Sequence, residues 1–205
     1  MKLGYRVILA DTDYLAIRQA RMAGLETFFG NPVSEAADRK LDLSDINFLL
    51  ALSPSPELNA LAVLRYEREF GAGNVFVLQT ESERSGSAKA RLTEEVLGRR
   101  LFGETVTLEQ LLSWVEGGGK ISTTKLTETF DWAAYQKRLG TRGVVLLTVT
   151  PSGLLKVVDD HFALKPGAGW TVVALLASEA VTALDEVAST TPPADPHTAA
   201  PAPSA

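Results

Sequence analysis

Cysteine is absent from this chain, and histidine occurs only at His161 and His197. The first absence removes disulfides, iron–sulfur clusters and thiolate zinc sites together. It fits a reducing cytosol. The scarcity of histidine leaves a Ser-His-Asp triad or a histidine metal site dependent on His161, because His197 falls in a Pro/Ala-rich tail. His161 follows Asp159 and Asp160, but at what reads as a strand end and turn. No stretch approaches the ~20 apolar residues that cross a bilayer. The richest apolar runs, Val144–Val149 and Val172–Ala177, have strand length. The opening residues carry no signal-peptide pattern, since the run Val7–Ala10 is short and ends in Asp11. Positive charge is not in excess either. The net charge of −5 and pI of about 5.1 give no basic field for nucleic acid or anionic lipid. Arg99 and Arg100 form a small basic pair that reads as a solvated helix end.

What is present is enough for a core: 205 residues, 45% of them apolar, make one medium domain or two small ones. The run from Gly4 to Asp11 reads as a parallel strand ending in an acid. Asp13 caps a helix over Tyr14–Ala23, stopped by Gly24. Leu25–Phe29 is a second strand, closed by Gly30-Asn31-Pro32, and a short polar helix follows over Val33–Lys40. Ile46–Leu52 is a third strand. Ser55-Pro56-Glu57 then opens a helix to Phe70, with Leu58, Leu61, Ala62 and Tyr66 on its buried side. Asn74–Gln79 is a fourth strand. This alternation predicts an α/β fold with a Rossmann-like parallel sheet.

After the polar break Thr80–Ser87 the pattern changes. Ala88–Arg100 reads as a polar linker helix. Thr107-Leu-Glu-Gln110 is a capping box. Lys120–Thr127 reads as a strand, Asp131 caps a helix to Leu139, and Val144–Thr150 pairs with Leu154–Val158 in a hairpin. Trp170–Leu176 is the last strand. The expected organisation is a truncated nucleotide-binding domain over 1–80, a linker over 81–100, a small α+β domain over 101–178 and a disordered tail over 179–205.

In a doubly wound dinucleotide fold the first strand leads into a glycine-rich loop, and an acid at the end of the second strand takes the ribose hydroxyls. Asp11 has the place of that acid, yet no G-x-G-x-x-G precedes it. The strand that bears Asp11 therefore reads as the second strand of a sheet, with the first strand and its glycine-rich loop expected to be absent from these residues. Three arrangements answer this: the chain continues a longer polypeptide that carries the strand upstream, a partner chain supplies it, or the sheet closes without it. The first is the expectation.

Several segments resemble one family in the same order. They are Gly4–Asp11, Ile17-x-x-Ala-Arg-x-x-Gly-Leu25, Gly30-Asn31, Leu41-Asp-Leu43, and Leu49-Leu-Ala-Leu-Ser-Pro54 followed by Leu58-Asn59. Together they resemble the potassium-transport nucleotide-binding domain (RCK or TrkA-N type), in the variety fused behind the membrane domain of bacterial sodium/proton antiporters. Leu101-Phe-Gly103, Val106-Thr107, Leu111-Leu112, Thr124–Asp131 and Lys165-Pro-Gly167 extend the likeness to about residue 177. The resemblance implies a cytosolic regulatory module at the inner face of the membrane. Its implied partner is a transmembrane antiporter domain, and it is implied to form a dimer at least. It implies NAD(H) or an adenine nucleotide (ATP, ADP or AMP) as ligand, with no metal and no nucleic acid. By position, Asp11 is implied to meet the ribose hydroxyls, Gly30 and Asn31 to lie near the adenine, and Ser53 and Asn59 across the crevice, with Asp13 a further cofactor-binding candidate.

Most of these residues also have an ordinary structural reading: Asp11 as an acidic strand end, Asp13 as a helix cap, Gly30-Asn31-Pro32 as a turn, Asn59 as a local hydrogen bonder. Trp114, Trp132 and Trp170 read as core or interface anchors. No catalytic set stands out, because Tyr135 and Lys137 lack the Tyr-x-x-x-Lys spacing of short-chain dehydrogenases. The chain is thus expected not to be an enzyme. The alternatives are a ligand-free scaffold of the same fold and a fragment of an NAD(P)-dependent oxidoreductase.

Overall fold

A computed structural model of the chain describes residues 3–85, 98–161 and 165–178. The amino-terminal half alternates as read: β1 (Ile8–Asp11), α1 (Tyr14–Met22), β2 (Glu26–Phe29), α2 (Glu35–Lys40), β3 (Leu49–Ala51), α3 (Pro56–Phe70) and β4 (Val75–Val77). Each helix starts on a side-chain cap. The Asp13 carboxylate accepts from Leu15 N at 2.7 Å, the Ser34 hydroxyl from Ala37 N at 3.3 Å, and the Ser55 hydroxyl from Leu58 N at 3.2 Å. These bonds satisfy backbone donors that a helix start leaves free. Strand pairing is parallel, β1 with β2 and β3 with β4. The half is Rossmann-like α/β.

It is also split. β1 and β2 form one sheet, and β3 and β4 belong to another. The two sheets are joined instead through α3. The Tyr66 hydroxyl donates to the Pro32 carbonyl at 2.6 Å, and Arg65 pairs with Asp38 at 2.6 Å. On its inner side α3 packs Val63 against Ala51, Val75 and Val77. Its buried face is Asn59, Ala62, Val63 and Tyr66. Of the expected side, Ala62 and Tyr66 are buried, Leu58 is half-buried, and Leu61 is 54% exposed. The buried Asn59 amide is tied to the Ser53 backbone, its Oδ1 accepting from Ser53 N and its Nδ2 donating to the Ser53 carbonyl.

The remainder comprises α4 (Glu81–Ser85), β5 (Arg99–Arg100), α5 (Leu108–Glu116), β6 (Lys120–Lys125), α6 (Trp132–Leu139), β7 (Gly143–Val149), β8 (Leu155–Val157) and β9 (Thr171–Leu176). The last four strands form an antiparallel sheet in the order β6-β9-β7-β8. The chain is therefore α/β followed by α+β. Trp114 and Trp132 pack against buried clusters, Trp132 stacking on Tyr135 at 5.8 Å. The linker-helix reading fails at its end: Arg99 and Arg100 are a strand, parallel to β4. The rest of that reading, over 86–97, and the tail over 179–205 lie outside the described residues.

Arg99 and Arg100 are extended because both of their ladder edges are occupied. One edge pairs with Phe76 and Val77. On the other, Asp160 N donates to the Arg100 carbonyl, and Phe102 N donates to that of Val158. The Arg99 guanidinium forms an ion pair with the buried Asp159 carboxylate and lies 5.8 Å from the centre of the Phe76 ring. Phe76 and Leu78 meet Leu101, Val106, Val144, Val157 and Leu175 in one buried cluster, so the parallel and antiparallel parts share a core.

Leu101 is 1% exposed in that cluster. Leu101→Ala is expected to lower the free energy of denaturant unfolding by about 2–5 kcal/mol, whereas Leu61→Ala stays within about 0.5 kcal/mol. Burial raises the Asp159 carboxyl above the ordinary 3.8, while the Arg99 charge acts to lower it. An acid raised in this way holds its proton more tightly when folded. Its stabilising contribution is therefore full below 3.8 and lost as pH rises through the native value. Unfolding free energies measured against pH should show wild type losing ground to Asp159→Asn as pH rises through that window, with a constant difference above it.

Candidate functional site

The carboxyl ends of parallel strands are where open α/β sheets place their ligands. Here those ends carry Asp11 on β1, Gly30 after β2, Ser53 after β3 and Gln79 after β4. The predicted residues fall in two groups.

The first group joins β1 and β2. Gly30 N donates to the Asp11 carbonyl at 2.9 Å. Gly30 has φ 141°, and a Cβ there would stand 3.3 Å from the Phe28 ring, so both backbone and space call for glycine. One carboxylate oxygen of Asp11, Oδ1, accepts from Asp13 N at 2.9 Å. The other, Oδ2, has no hydrogen bond among the described residues. Asp13 caps α1 through its own Oδ1. Asn31 closes the turn: its Oδ1 accepts from Val33 N at 3.0 Å, and its carbonyl accepts from the Ser34 hydroxyl at 2.7 Å.

The second group lies at the start of α3. Asn59 is 2% exposed, and both its side-chain oxygen and its side-chain nitrogen bond to one residue. Its Oδ1 accepts from Ser53 N at 3.0 Å, and its Nδ2 donates to the Ser53 carbonyl at 2.8 Å. The Ser53 hydroxyl accepts from Ser55 N at 3.1 Å, which leaves its own proton free to point outward. Among the described residues no hydrogen bond links this group directly to the first. The link is indirect, through Tyr66 and Pro32.

The arrangement offers one carboxylate oxygen, a glycine backbone and a serine hydroxyl around the strand ends. That set suits neutral hydroxyl and amide groups of a small polar ligand. It holds no cation for phosphate, and among the described residues no three metal-ligating side chains converge. Tyr135 lies apart, buried between Phe130 and Trp132, and burial pushes its hydroxyl up to about 12.

Sequence reasoning missed Gln79. It is buried and donates from Nε2 to the carbonyls of Glu104, at 2.5 Å, and Val106, at 3.2 Å. Leu108 N donates back to the Gln79 carbonyl at 2.9 Å. Next to it, Thr80 and Glu83 form a reciprocal capping box, and Glu81 N donates to Glu109 at 2.8 Å. The strand-end rim is thereby bonded to α5. The Thr80-x-x-Glu83 spacing was legible in the sequence; the partners of Gln79 were not.

No protein-family model and no curated protein matches this chain. Solved structures do, at low identity. The NAD(P)-binding domain of an exopolyphosphatase-related protein from Archaeoglobus fulgidus is 17% identical, over 56% of this chain and 79% of that one, with a TM-score of 0.38. The GsuK RCK domain is 9% identical, over 90% of this chain and 46% of that one, with a TM-score of 0.31. The GsuK channel bound to NAD is 9% identical, over 92% and 39%, with a TM-score of 0.33. The chain thus spans less than half the length of these two GsuK chains.

Asn59→Ala removes both bonds to the Ser53 backbone. It is expected to lower unfolding free energy by about 1–3 kcal/mol and to speed amide exchange at Ser53 and Ser55, measured by NMR. Unchanged exchange there would show that the loop is held by other means.

Proposed function

We propose that the chain is the nucleotide-sensing regulatory module of a membrane cation transporter, and more narrowly of a sodium/proton antiporter, with no catalytic activity of its own. The observation that carries the reading is Asp11. It stands at the carboxyl end of a parallel strand beside Gly30, with a carboxylate oxygen left over after its local bond to Asp13 N. A pair of ribose hydroxyls is the chemistry such an acid takes in this fold class. The antiporter follows from the ordered sequence resemblance over residues 4–177.

Regulation requires that ligand favour one arrangement of the module over another. The bonds from Gln79 to the α5 approach supply the route: the strand-end rim and the antiparallel part cannot move independently while these bonds hold. A second reading, a ligand-free scaffold, is supported by Asn59 and Asp13, whose polar atoms serve the fold itself.

Calorimetric titration with NAD+, NADH, ATP, ADP and AMP separates the two. NAD comes first, as the ligand in one of the GsuK structures. Asp11→Asn keeps the acceptor for Asp13 N and removes the charge, so it should weaken binding about tenfold or more with an unchanged unfolding midpoint. Absence of micromolar binding by all five ligands would leave the scaffold.

A further inference from the structure

Tyr14 and Phe29 are large rings left in the open. Tyr14 is 59% and Phe29 52% exposed, and among the described residues neither joins a buried cluster. They meet each other instead, with ring centres 5.8 Å apart and planes at 83°. Two half-covered rings at nearly a right angle form a corner, one wall a ring face and the other a ring edge.

The strand register sets where this corner stands. Phe29 is aligned with Asp11 on the neighbouring strand. Aligned residues of a parallel pair leave the sheet on the same face, about 5 Å apart. Phe28, one residue earlier, takes the other face and is buried. Tyr14 is brought alongside by the turn over Asp11–Asp13, in which Asp13 N donates to Asp11 Oδ1 and Asp13 then caps α1. The corner therefore adjoins the second carboxylate oxygen of Asp11. That oxygen suits the vicinal hydroxyls of a ribose, and a ring wall suits the face of a planar base.

The polar groups beside the corner are already engaged. Gly30 N donates to the Asp11 carbonyl, and Asn31 Oδ1 accepts from Val33 N. The amino group that marks adenine needs an acceptor, and the Asn31 oxygen is held by the turn. Stacking needs no such partner, because every base has a π face.

We propose that Tyr14 and Phe29 hold the base of the nucleotide by its face, next to the ribose on Asp11, and do so without telling adenine from other purines. The inference rests on the regulatory reading above for the ligand's being a nucleotide. The corner itself rests on the register and the ring contact. The module then responds to purine nucleotides as a class.

The test is calorimetric titration of the chain with AMP, IMP and GMP, and with ribose 5-phosphate as the control that lacks a base. The nucleotides should bind within about threefold of one another, and ribose 5-phosphate about tenfold or more weaker. The double variant Tyr14→Leu/Phe29→Leu should weaken all three nucleotides about tenfold and leave ribose 5-phosphate as it was. An unchanged unfolding midpoint shows that the variant keeps its fold. Should it not fold, the wild-type chain decides by NMR: a stacked base moves the ring protons of Tyr14 and Phe29 upfield. Rings that do not shift at saturating AMP overturn the corner. So does a preference for AMP over IMP and GMP of about tenfold or more, or ribose 5-phosphate binding as tightly as AMP. Each of these leaves the regulatory reading standing, as does binding of NAD+ with no binding of the monophosphates, which also overturns the corner. Absence of binding by every nucleotide overturns both.

Discussion

β4 has two faces and two edges to bury, and a different part of the chain answers each demand. Its edges pair with β3 and β5. Val75 and Val77 face α3, while Phe76 and Leu78 face the antiparallel part. Parallel strands tolerate exposure badly, because both faces are apolar and every ladder group needs a partner. β4 meets this condition fully, and its surroundings are the best-buried part of the parallel half. β1 and β3 do not meet it, and there the layer is split.

The joint between the two halves follows from the same requirement. Arg99 and Arg100 sit between β4 and the segment 158–160 as a two-residue strand, and the long cationic side chain of Arg99 reaches the buried Asp159. A carboxylate taken out of water is expensive to keep charged, so the pairing with Arg99 offsets a desolvation penalty rather than adding a large surplus. Its contribution is to register: it sets which residues of the linker join the sheet. Gln79 does the same at the other end of β4 with neutral amide bonds.

The candidate site shows how little of a polar motif is left once the fold has drawn on it. Asp13, Asn31 and Asn59 spend their polar atoms on a cap, a turn and a loop. Asp11 and Ser53 retain groups that can turn outward. These two are on different sheets, so a ligand that touched both would bridge the split.

The sequence by itself determined the alternation of strands and helices up to β4 and the elements from α5 to β9, though not α4 or β5. Caps at Asp13, Ser55, Thr107 and Asp131, and apolar runs of strand length, are local signals, and local backbone chemistry carries them into the structure. Only the tertiary structure decided that Arg99 and Arg100 are a strand, that α3 turns Asn59 inward and Leu61 outward, and that Gln79 holds α5. Each of these depends on a partner far along the chain: Asp159, the Ser53 backbone, or the carbonyls of Glu104 and Val106. A side chain's role is legible in sequence when its partner lies within a helical turn. When the partner is brought in by packing, its role is set by the burial that the packing imposes.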